Sequence, residues 1–350
     1  MTFFILTINP GAASTKIGYF QDDQLIKNYV ADHTQQKLPS KVQQQESLRF
    51  SIINDFIKGI DGPIDVVAGR GGPLKPMPGG IYRINQKMLN QYREETFSSH
   101  PSNLGAIMAN TVAQSLNIPA FIVDPVTTDE MIAEARISGV SGIHRRSRSH
   151  ALNIKYTVRK TVRKHNIPED DNQFIAAHLG SGFSIAAVLN GKIIDVNDAL
   201  LGMGPFSIER AGSLPLWGIL NLIFDNKMTL DDAVEKFSHE SGLLGYLGTR
   251  DFQEIERSAE SNKETRQIVS AMEYQISKEI GAMYSVLNGQ VQGLILTGGL
   301  AHSKTLVENL QSRLSYIDSF YIYPGSFESE ALAEGARIAM SNSEMVREYA

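Results

Sequence analysis

The feature that most limits how this chain can fold is a strand pattern that occurs twice, about 170 residues apart and near half of its length. The first copy consists of three predicted strands, with the glycine turn NPGAAS after the first of them: 3–8, 14–20 and 24–30. The second copy has the same order around the turn LGSG: 173–178, 183–189 and 192–196. The repeat favours a duplicated domain, and hairpins that occur by chance in an α/β protein are the alternative.

Helix patterns alternate with apolar strands in the rest of each half. The predicted helices and strands outside the repeat are 44–60, 64–68, 104–116, 121–124, 263–288 and 303–342. The first of these helices is predicted from the spacing of Leu48, Ile52, Ile53, Phe56 and Ile60. Ser102 and Asn103 are candidate caps for the helix 104–116. Strands that alternate with helices are typical of helix-covered sheets in which some strands are parallel. A chain of 350 residues is expected to hold two domains.

The composition excludes several classes of protein. Lys and Arg total 33 against 38 for Asp and Glu, whereas a general nucleic-acid binder usually has a basic excess. The absence of cysteine excludes a disulfide framework, a thiol nucleophile and a thiolate metal site. The N-terminus, MTFFILTINPG, lacks the features of a signal peptide, and nowhere do about 18 apolar residues run together. We therefore expect a cytoplasmic protein that binds neither nucleic acid nor membrane.

One segment departs from the acidic balance of the chain. Residues 143–165 carry eight Lys or Arg and no acid. Ala151, Ile154, Val158 and Val162 fall at helical spacing within it, and basic residues occupy the rest of the helix surface. In a net-acidic protein we interpret this pattern as a solvated helix face rather than a nucleic-acid site.

The glycine turn in the first copy of the repeat suits an anion. Gly11 lets backbone amides approach a phosphate, and Asn9, Ser14 and Lys16 offer an amide, a hydroxyl and a charge. No helix follows the turn, so it is not a Walker A loop. A plain hairpin turn with a polar tip is the alternative.

Two more glycine turns have the same character. The second copy of the repeat has a matching polar turn, formed by His178, Gly180, Ser181 and Gly182. Gly298 and Gly299 follow a predicted strand and precede a predicted helix, where free N–H groups and the positive end of the helix dipole suit a nucleotide. Each turn alone is equally well explained by packing, but glycine turns in equivalent places of the two halves together indicate a nucleotide site.

Charged residues at strand and helix ends are the remaining candidates. Arg70 and Arg210 stand in glycine-containing segments, which predicts exposed arginines that hold an oxyanion, with surface salt bridges as the alternative. Asp124 ends the predicted strand FIVD, where α/β proteins often place polar site residues. Glu330 and Glu334 begin the last predicted helix, within reach of a metal-bound water. Capping or solvation is the alternative for all three acids.

A series of motifs along nearly the whole chain resembles the butyrate kinase branch of the acetate kinase family. The motifs are NPGAASTKI, GRGGPLKPMPGGIYRIN, HPSNLGA, DPVTTDE, RISG, HALN, HLGSGFSIAAVLNGKIIDVNDAL, GPFSIERAGSLP, GYLGTRDF, LTGGLAHS and ALAEGA. The acetate kinase family belongs to the superfamily of sugar kinases, actin and the heat-shock ATPases. His150 resembles one histidine of the His-Gly-Thr-Ser-His run of acetate kinases, and the absence of the rest of that run favours the butyrate branch.

The resemblance implies a fold and a domain division. The fold is α/β, with a duplicated βββαβαβα core of the ribonuclease H-like, actin-like ATPase type and two domains around a nucleotide cleft. Residues 1–125 plus 331–350 are expected to form an N-terminal domain on the acyl-substrate side. Residues 126–330 are expected to form the C-terminal nucleotide-binding domain.

The resemblance also implies roles for single residues. The catalytic residues would be Arg70, Asp124 and Arg210. The nucleotide-binding residues would be Asn9, Ser14, Lys16, His178, Gly180, Ser181, Gly182, Asp251, Phe252, Gly298, Gly299 and Ala301. Asn9 and Glu330 would hold magnesium.

The implied reaction is the reversible transfer of a phosphoryl group from ATP to butanoate, which gives ADP and butanoyl phosphate. The implied partners are a short-chain fatty acid or its acyl phosphate, ATP or ADP, Mg²⁺, and further copies of the chain in a homodimer or larger homo-oligomer. A kinase for another short or branched carboxylate, or another kinase or phosphatase of the superfamily, is the first alternative.

Two departures from the family pattern suggest a second alternative. Ala12 and Ala13 stand where butyrate kinases usually carry Ser or Thr, and Ser181 and Phe183 replace residues common in the second turn. Lost hydroxyls would weaken ATP binding, although the backbone amides of the turn remain. A nucleotide-binding regulator of the same fold without turnover is therefore kept as an alternative.

Overall fold

The computed structural model describes residues 1–34 and 38–350, which divide into two compact units. Unit 1 comprises Met1–Asp129, Ala151–Tyr156 and Phe327–Ala350. Unit 2 comprises Glu130–His150 and Thr157–Ser326. The domain boundaries expected after residues 125 and 330, and the roles assigned to the two domains, stay predictions.

Each unit contains one β-sheet. The strands of unit 1 are β1 (Phe4–Pro10), β2 (Ser14–Gln21), β3 (Gln24–Asp32), β4 (Val66–Arg70), β5 (Ile81–Arg83), β6 (Ala120–Val123) and β12 (Val346–Arg347). The strands of unit 2 are β7 (Gln173–Leu179), β8 (Phe183–Leu189), β9 (Lys192–Val196), β10 (Gly293–Gly298) and β11 (Phe320–Pro324).

Helices connect and cover these strands. Before β7 they are α1 (Glu46–Lys58), α2 (Gln86–Arg93), α3 (Asn103–Leu116), α4 (Ala133–Arg136) and α5 (Ala151–His165). Between β9 and β10 they are α6 (Leu216–Asp225), α7 (Leu230–His239), α8 (Gly242–Leu247), α9 (Phe252–Ser261) and α10 (Lys263–Val286). The last two are α11 (Lys304–Arg313) and α12 (Glu328–Ser341), and short 3₁₀ turns lie at Val42–Gln45, Gly299–His302 and Ser343–Met345.

The two sheets share one topology. The order in unit 1 is β12-β5-β6-β4-β1-β2-β3, and the order in unit 2 is β11-β10-β7-β8-β9. In both units the first three strands are antiparallel. Two further strands, β4 and β6 in unit 1 and β10 and β11 in unit 2, add in parallel on the other side of the first strand. The prediction of a duplicated α/β core is confirmed, and β5 and β12 are additions to the first copy.

Successive side chains of a strand point to opposite faces of the sheet, which explains how helices cover both faces of the unit 1 sheet. Leu6 and Ile8 of β1 pack with Ile53 and Phe56 of α1 on one face. Ile5 joins a separate cluster on the other face, with apolar residues of α12 such as Ala331, Leu332 and Ala333. In unit 2, one large cluster joins a face of the sheet to α10 and α11. The ends of the central strands are thereby held rigidly, and the candidate site residues lie at those ends.

The β8–β9 hairpin has the bounds that the sequence predicts. Asn190 and Gly191 adopt φ values of +49° and +72°, as a tight two-residue hairpin turn requires. Because this turn fixes the register, the two strands begin and end where the pattern places them.

Three local expectations are wrong. Helix α1 is rotated so that Arg49, not Leu48, faces the core; Leu48 is 41% exposed and Arg49 0%. The expectation of a solvated basic face on α5 holds for Arg163 and Lys164, which are exposed, but it is wrong for Lys155, which is buried, and for Lys160, which packs 5.4 Å above the ring of Tyr323.

The third concerns the start of α3. The side chain of Ser102 does not cap this helix, because its hydroxyl lies 2.6 Å from Nδ1 of His100.

Within residues 1–34 and 38–350, no helix is both long and apolar enough to cross a membrane.

Candidate active site

The first glycine turn joins β1 to β2 in unit 1. The amide of Gly11 donates to the carbonyl of Ser14 at 2.8 Å, which closes the turn and leaves Ala12 and Ala13 exposed at its tip. Asn9 pairs with Lys16 across the hairpin, so the two side chains share one face of the sheet, and Ser14 lies on the same face two residues earlier. The structure thus brings together the three polar residues that the sequence assigns to this turn.

Asn9, Arg70 and Glu328 form a hydrogen-bonded cluster beside this turn. Nη1 and Nη2 of Arg70 donate to Oε2 and Oε1 of Glu328 at 3.1 and 3.0 Å. Nδ2 of Asn9 donates to Oε2 at 2.8 Å, and Nη1 of Arg70 donates to Oδ1 of Asn9 at 3.2 Å. The side chains of Arg70 and Glu328 are only 17% and 10% exposed, so the expectation of an exposed arginine is wrong.

Close packing of two glycines positions Arg70 at the end of β4. A Cβ atom at Gly69 would lie 2.3 Å from the carbonyl oxygen of Gly105 in α3, and one at Gly105 would lie 2.4 Å from that of Arg70. Real Cβ atoms do not approach backbone so closely, so any side chain here would push α3 away from β4. The glycines therefore fix the strand end from which the guanidinium extends.

Asp124 follows the last residue of β6 and has an unusual backbone conformation. Its φ is +37°, a left-handed value that L residues other than Asn and Asp rarely adopt. Its amide donates to the carbonyl of Gly80 at 2.9 Å, and its Oδ1 accepts from the amide of Gly80 at 2.7 Å. Local strain held in place by two hydrogen bonds at a strand end is characteristic of functional positions. Asp124 is 2% exposed.

The second glycine turn joins β7 to β8 in unit 2, and a pair of stacked histidines lies beside it. The rings of His150 and His178 stack with their centroids 4.0 Å apart. Ser184 pairs with His178 in the ladder, and its hydroxyl lies 2.9 Å from Nδ1 of His150. The His150 side chain, which the sequence analysis left without a role, therefore lies directly against the turn.

Arg210 packs against this second turn. A Cβ atom at Gly182 would lie 2.1 Å from Nη1 of Arg210, so only glycine leaves room for the guanidinium. Nη1 donates to the carbonyl of Ala199, and Nε is buried without a hydrogen-bond partner among the described residues. An unpaired buried donor is costly, and functional sites are where such costs are found. Arg210 is half-buried, so the expected exposure is again wrong.

Nearby carboxylates oppose the effect of burial on the charge of Arg210. Burial lowers the pKa of Arg210, while the charges of Glu209 and Asp198 raise it. Asp198 is buried and is itself paired with Arg148, whose Nη2 lies 2.7 Å from its Oδ2. Arg210 therefore keeps its positive charge without a direct salt bridge to either acid among the described residues.

The third glycine turn follows β10. Gly298 has a φ of +91°, and a Cβ atom there would lie 2.3 Å from the carbonyl oxygen of Leu179, so β10 ends in close contact with the end of β7. Gly299 is exposed, with no atom within 4 Å of a Cβ built there, and Ala301 is buried in the 3₁₀ turn that follows. The exposed backbone at Gly299 leaves room for a ligand.

Asp251 and Phe252 lie at the start of α9. Oδ1 of Asp251 accepts from the amides of Gln253 and Glu254 at 2.9 and 3.1 Å, which makes Asp251 the N-cap of the helix. Phe252 is half-buried against the unit 2 core. The adenosine role that the resemblance implies for Asp251 and Phe252 stays a prediction.

Two residues of this region were missed by sequence reasoning. Glu328, and not Glu330, contacts Asn9 and Arg70; Glu330 is half-buried two residues further along α12. The metal role assigned to Glu330 stays a prediction. Arg49 is completely buried beneath the first glycine turn. The only sign of this burial in the sequence is that Arg49 is a basic residue among the apolar positions of a predicted helix.

Comparison with known proteins identifies the family. The pattern that defines the acetokinase family matches residues 137–345. A probable butyrate kinase from Listeria monocytogenes serovar 1/2a (strain ATCC BAA-679 / EGD-e) is 41% identical over 355 residues, which cover 100% of both chains.

Solved structures have the same fold. An acetate kinase from Porphyromonas gingivalis superimposes with a TM-score of 0.77 at 18% identity, over 97% of this chain and 100% of its own. A propionate kinase from Francisella tularensis subsp. tularensis SCHU S4 superimposes with a TM-score of 0.76 at 17% identity, over 96% and 99%. The resemblance seen in the sequence motifs is confirmed: this chain belongs to the acetokinase family, whose members are ATP-dependent carboxylate kinases.

Proposed function

We propose that this chain transfers the terminal phosphoryl group of ATP to butanoate, reversibly, to give ADP and butanoyl phosphate. The observation that carries the phosphoryl-transfer chemistry is Arg210, whose buried Nε is unpaired and whose guanidinium fills the space above Gly182. The choice of butanoate rests on the full-length relative described as a probable butyrate kinase.

This phosphoryl transfer depends more on neutralising the negative charges of the two substrates than on acid–base catalysis. A carboxylate is already ionised at pH 7, so no base is required to create the nucleophile. The obstacle is that two anions must meet with the transferring group in line. Arginines at strand ends suit this task, and we assign charge neutralisation to Arg70 and Arg210.

We assign the phosphates of the nucleotide to the glycine turns. Asn9, Ser14 and Lys16 share one sheet face beside the first turn, which supports their role towards an anion. In unit 2 we assign the phosphates to the second turn, formed by His178, Gly180, Ser181 and Gly182. We assign the adenosine to Gly298, Gly299, Ala301, Asp251 and Phe252. The exposed backbone of Gly299 supports the adenosine assignment.

Magnesium fits the oxygen donors of unit 1. Mg²⁺ is typically held by one or two protein oxygens and completed by waters and phosphates, and in the described part of the chain no group of three or more acids or histidines could hold a metal ion. The carboxylate of Glu328 accepts from Nδ2 of Asn9, and Oδ1 of Asn9 accepts from Arg70 in the same cluster. Asn9 and Glu328 would therefore hold the ion, with Asp124 as a further oxygen donor. When bound, the ion supplies positive charge to the phosphate oxygens. Arg70 orients the Glu328 carboxylate through two contacts.

The second alternative, a nucleotide-binding regulator without turnover, is favoured by the alanines at positions 12 and 13. The experiment that separates enzyme from regulator is trapping of the acyl phosphate with hydroxylamine in the presence of ATP, Mg²⁺ and butanoate. We expect hydroxamate in stoichiometric agreement with ADP. ADP binding without any hydroxamate, across acetate, propionate, butanoate, isobutyrate and valerate, would contradict the proposal. Cytoplasm remains the compartment in which we expect the reaction.

We also propose that the chain forms a homodimer through α6. None of the residues of this helix is buried, and its exposed apolar side chains are Leu216, Trp217, Leu220, Leu222 and Phe224. Because Trp and Phe bury about 150–250 Å² each when covered, Trp217 and Phe224 offer on the order of 400 Å², and Leu216 and Leu220 lie on the same face of the helix. A stable interface takes roughly 800 Å² from each partner, so this face supplies a large share of one, which supports a second copy as the occupant.

The dimer proposal is tested by sedimentation of the wild type and of Trp217→Glu. We expect a wild-type dimer at micromolar concentration and a monomer for the variant, because a charge in the centre of an apolar interface is left unpaired. A monomeric wild type, or a variant that remains dimeric, would contradict this assignment of the interface.

A further inference from the structure

Arg49 of α1 has no exposed surface, which is rare for an arginine. Its guanidinium makes five contacts with hydrogen-bond acceptors. Nε and Nη2 donate to Oε1 of Gln45 at 3.2 and 2.9 Å, and Nη1 donates to Oγ1 of Thr15 at 2.8 Å. Nη1 and Nη2 also donate to the carbonyls of Ser14 and Gly11 at 3.2 and 3.0 Å. The donor capacity of the side chain is therefore used entirely inside the protein.

The charge of Arg49 is not neutralised by these contacts. Every acceptor is a neutral amide, carbonyl or hydroxyl oxygen, and no carboxylate forms an ion pair with Arg49 among the described residues. Burial lowers the pKa of Arg49, but arginine remains protonated in proteins. A buried charge without a counter-charge is costly, so its presence calls for a compensating role.

The contacts of Arg49 hold the first glycine turn at both ends. Gly11 and Ser14 are the residues whose amide–carbonyl bond closes the turn, and Arg49 binds the carbonyls of both. Thr15, its third contact in the hairpin, faces the opposite side of the sheet from Ser14 and Lys16. Arg49 therefore lies beneath the turn, away from the face that carries the polar side chains.

The tip of the turn has free donors. Ala12 and Ala13 are exposed, and their amides donate to no acceptor in the described part of the chain. Because positions 12 and 13 carry no hydroxyl, these two residues can bind an anion only through their backbone amides, so the conformation of the turn decides the geometry of those donors.

We propose that Arg49 is a positioning residue for the phosphates of the nucleotide. It fixes residues 11–14 so that the amides of Ala12 and Ala13 face an anion, and it adds an uncompensated positive charge from beneath. The inference deepens the proposed function and rests on it, because it takes the anion to be the phosphate chain of ATP or ADP. It also explains how the turn can hold a phosphate although positions 12 and 13 carry no hydroxyl.

The test measures ADP binding by calorimetry at several salt concentrations, for the wild type, Arg49→Met, Arg49→Lys and the control Ile53→Ala. Ile53 is also 0% exposed in α1 but has no contact with the turn, so its truncation destabilises the same helix through packing alone. We expect Arg49→Met to weaken ADP binding by about tenfold to a hundredfold, the loss typical of one interaction with a charged group. The ADP affinity of Arg49→Met should also depend less on salt concentration than that of the wild type, because one positive charge is missing.

The other variants separate charge from geometry. Arg49→Lys should keep the salt dependence but bind ADP more weakly than the wild type, because one ammonium cannot bridge both carbonyls. Ile53→Ala should lower the melting temperature and leave ADP binding unchanged. The KM for butanoate should change by less than about twofold in the Arg49 variants, since uniform loss of nucleotide binding leaves the other substrate unaffected.

Several results would overturn the inference. Wild-type ADP affinity in a folded Arg49→Met, or in Arg49→Lys if the methionine variant does not fold, would remove Arg49 from nucleotide positioning. Equal weakening in Ile53→Ala would show that the effect is general destabilisation. Absence of ADP binding by the wild type would overturn the inference itself, whereas ADP binding without carboxylate turnover would overturn only the proposed function.

Discussion

Arg70 and Glu328 face each other through two separate contacts, Nη1 to Oε2 at 3.1 Å and Nη2 to Oε1 at 3.0 Å. Two-point pairing of this kind fixes the orientation of a carboxylate as well as its position. Because Asn9 binds the same carboxylate, one cluster joins the end of β1, the end of β4 and the start of α12. The oxygen donors proposed for magnesium are thus held by the arginine proposed for the substrate.

Glu328→Gln should lower kcat by about a hundredfold to a thousandfold, the usual cost of removing one charge-stabilising group. The amide is nearly isosteric and still accepts a hydrogen bond, so the fold should be retained. Glu330→Gln, two residues along the same helix, is the matched control and should have a much smaller effect. Steady-state kinetics over a range of Mg²⁺ concentrations check both. A larger loss in Glu330→Gln would return the metal role to the residue suggested by the sequence.

Gly182→Ala should displace Arg210 and reduce turnover, because the new methyl group would lie 2.1 Å from the present position of Nη1. Gly191→Ala is the control, since a Cβ atom at Gly191 meets no other atom within 4 Å, although its φ of +72° brings a backbone cost. We expect kcat to fall in the first variant and only stability to fall in the second. Normal kinetics in Gly182→Ala would mean that the position of Arg210 is not critical.

Asp124→Asn should cut turnover by about a hundredfold to a thousandfold, with little change in melting temperature. Asparagine tolerates the left-handed conformation at φ +37°, so this substitution removes the charge but not the backbone geometry. Asp124→Ala adds a backbone penalty and should be less stable than Asp124→Asn. If the asparagine variant turns over normally, Asp124 has a structural role only.

The fold was predictable to the extent that its signals were local. The strands β8 and β9 follow from the Asn190-Gly191 turn and from the apolar runs on either side of it. The duplicated topology follows from two copies of this pattern. These features depend on neighbouring residues, which the sequence shows directly.

The site was predictable only where motifs carried it. The contact between Asn9 and Glu328 joins residues 319 positions apart, and no spacing rule distinguishes Glu328 from Glu330. Arg49 stands one position from Leu48, and only tertiary packing decides which of the two faces the core. The burial of Arg70 and Arg210 was missed for the same reason, since glycine-rich segments indicate exposure unless other elements cover them.

The buried carboxyl of Glu273 gives the chain a pH-dependent stability. Burial raises the pKa of Glu273, although a 2.9 Å hydrogen bond from Asn309 opposes the shift. A pKa raised above its unfolded value means that the native state holds its proton more tightly, so stability falls as pH rises from the unfolded pKa through the folded one. Glu273→Gln keeps the acceptor for Asn309 and should raise the melting temperature at neutral pH, with no gain below the unfolded pKa. Equal melting temperatures of the two proteins at all pH values would contradict this account.

The central claim is that this member of the acetokinase family is a butanoate kinase, and the most direct test compares kcat/KM for butanoate and acetate at saturating Mg-ATP. Each buried methylene contributes about 0.8 kcal/mol, so two additional methylenes predict a preference for butanoate of about tenfold or more. Comparable ADP release and hydroxamate formation with the preferred acid would verify that the phosphoryl group reaches the carboxylate. A kcat/KM for acetate equal to or above that for butanoate would contradict the butanoate assignment.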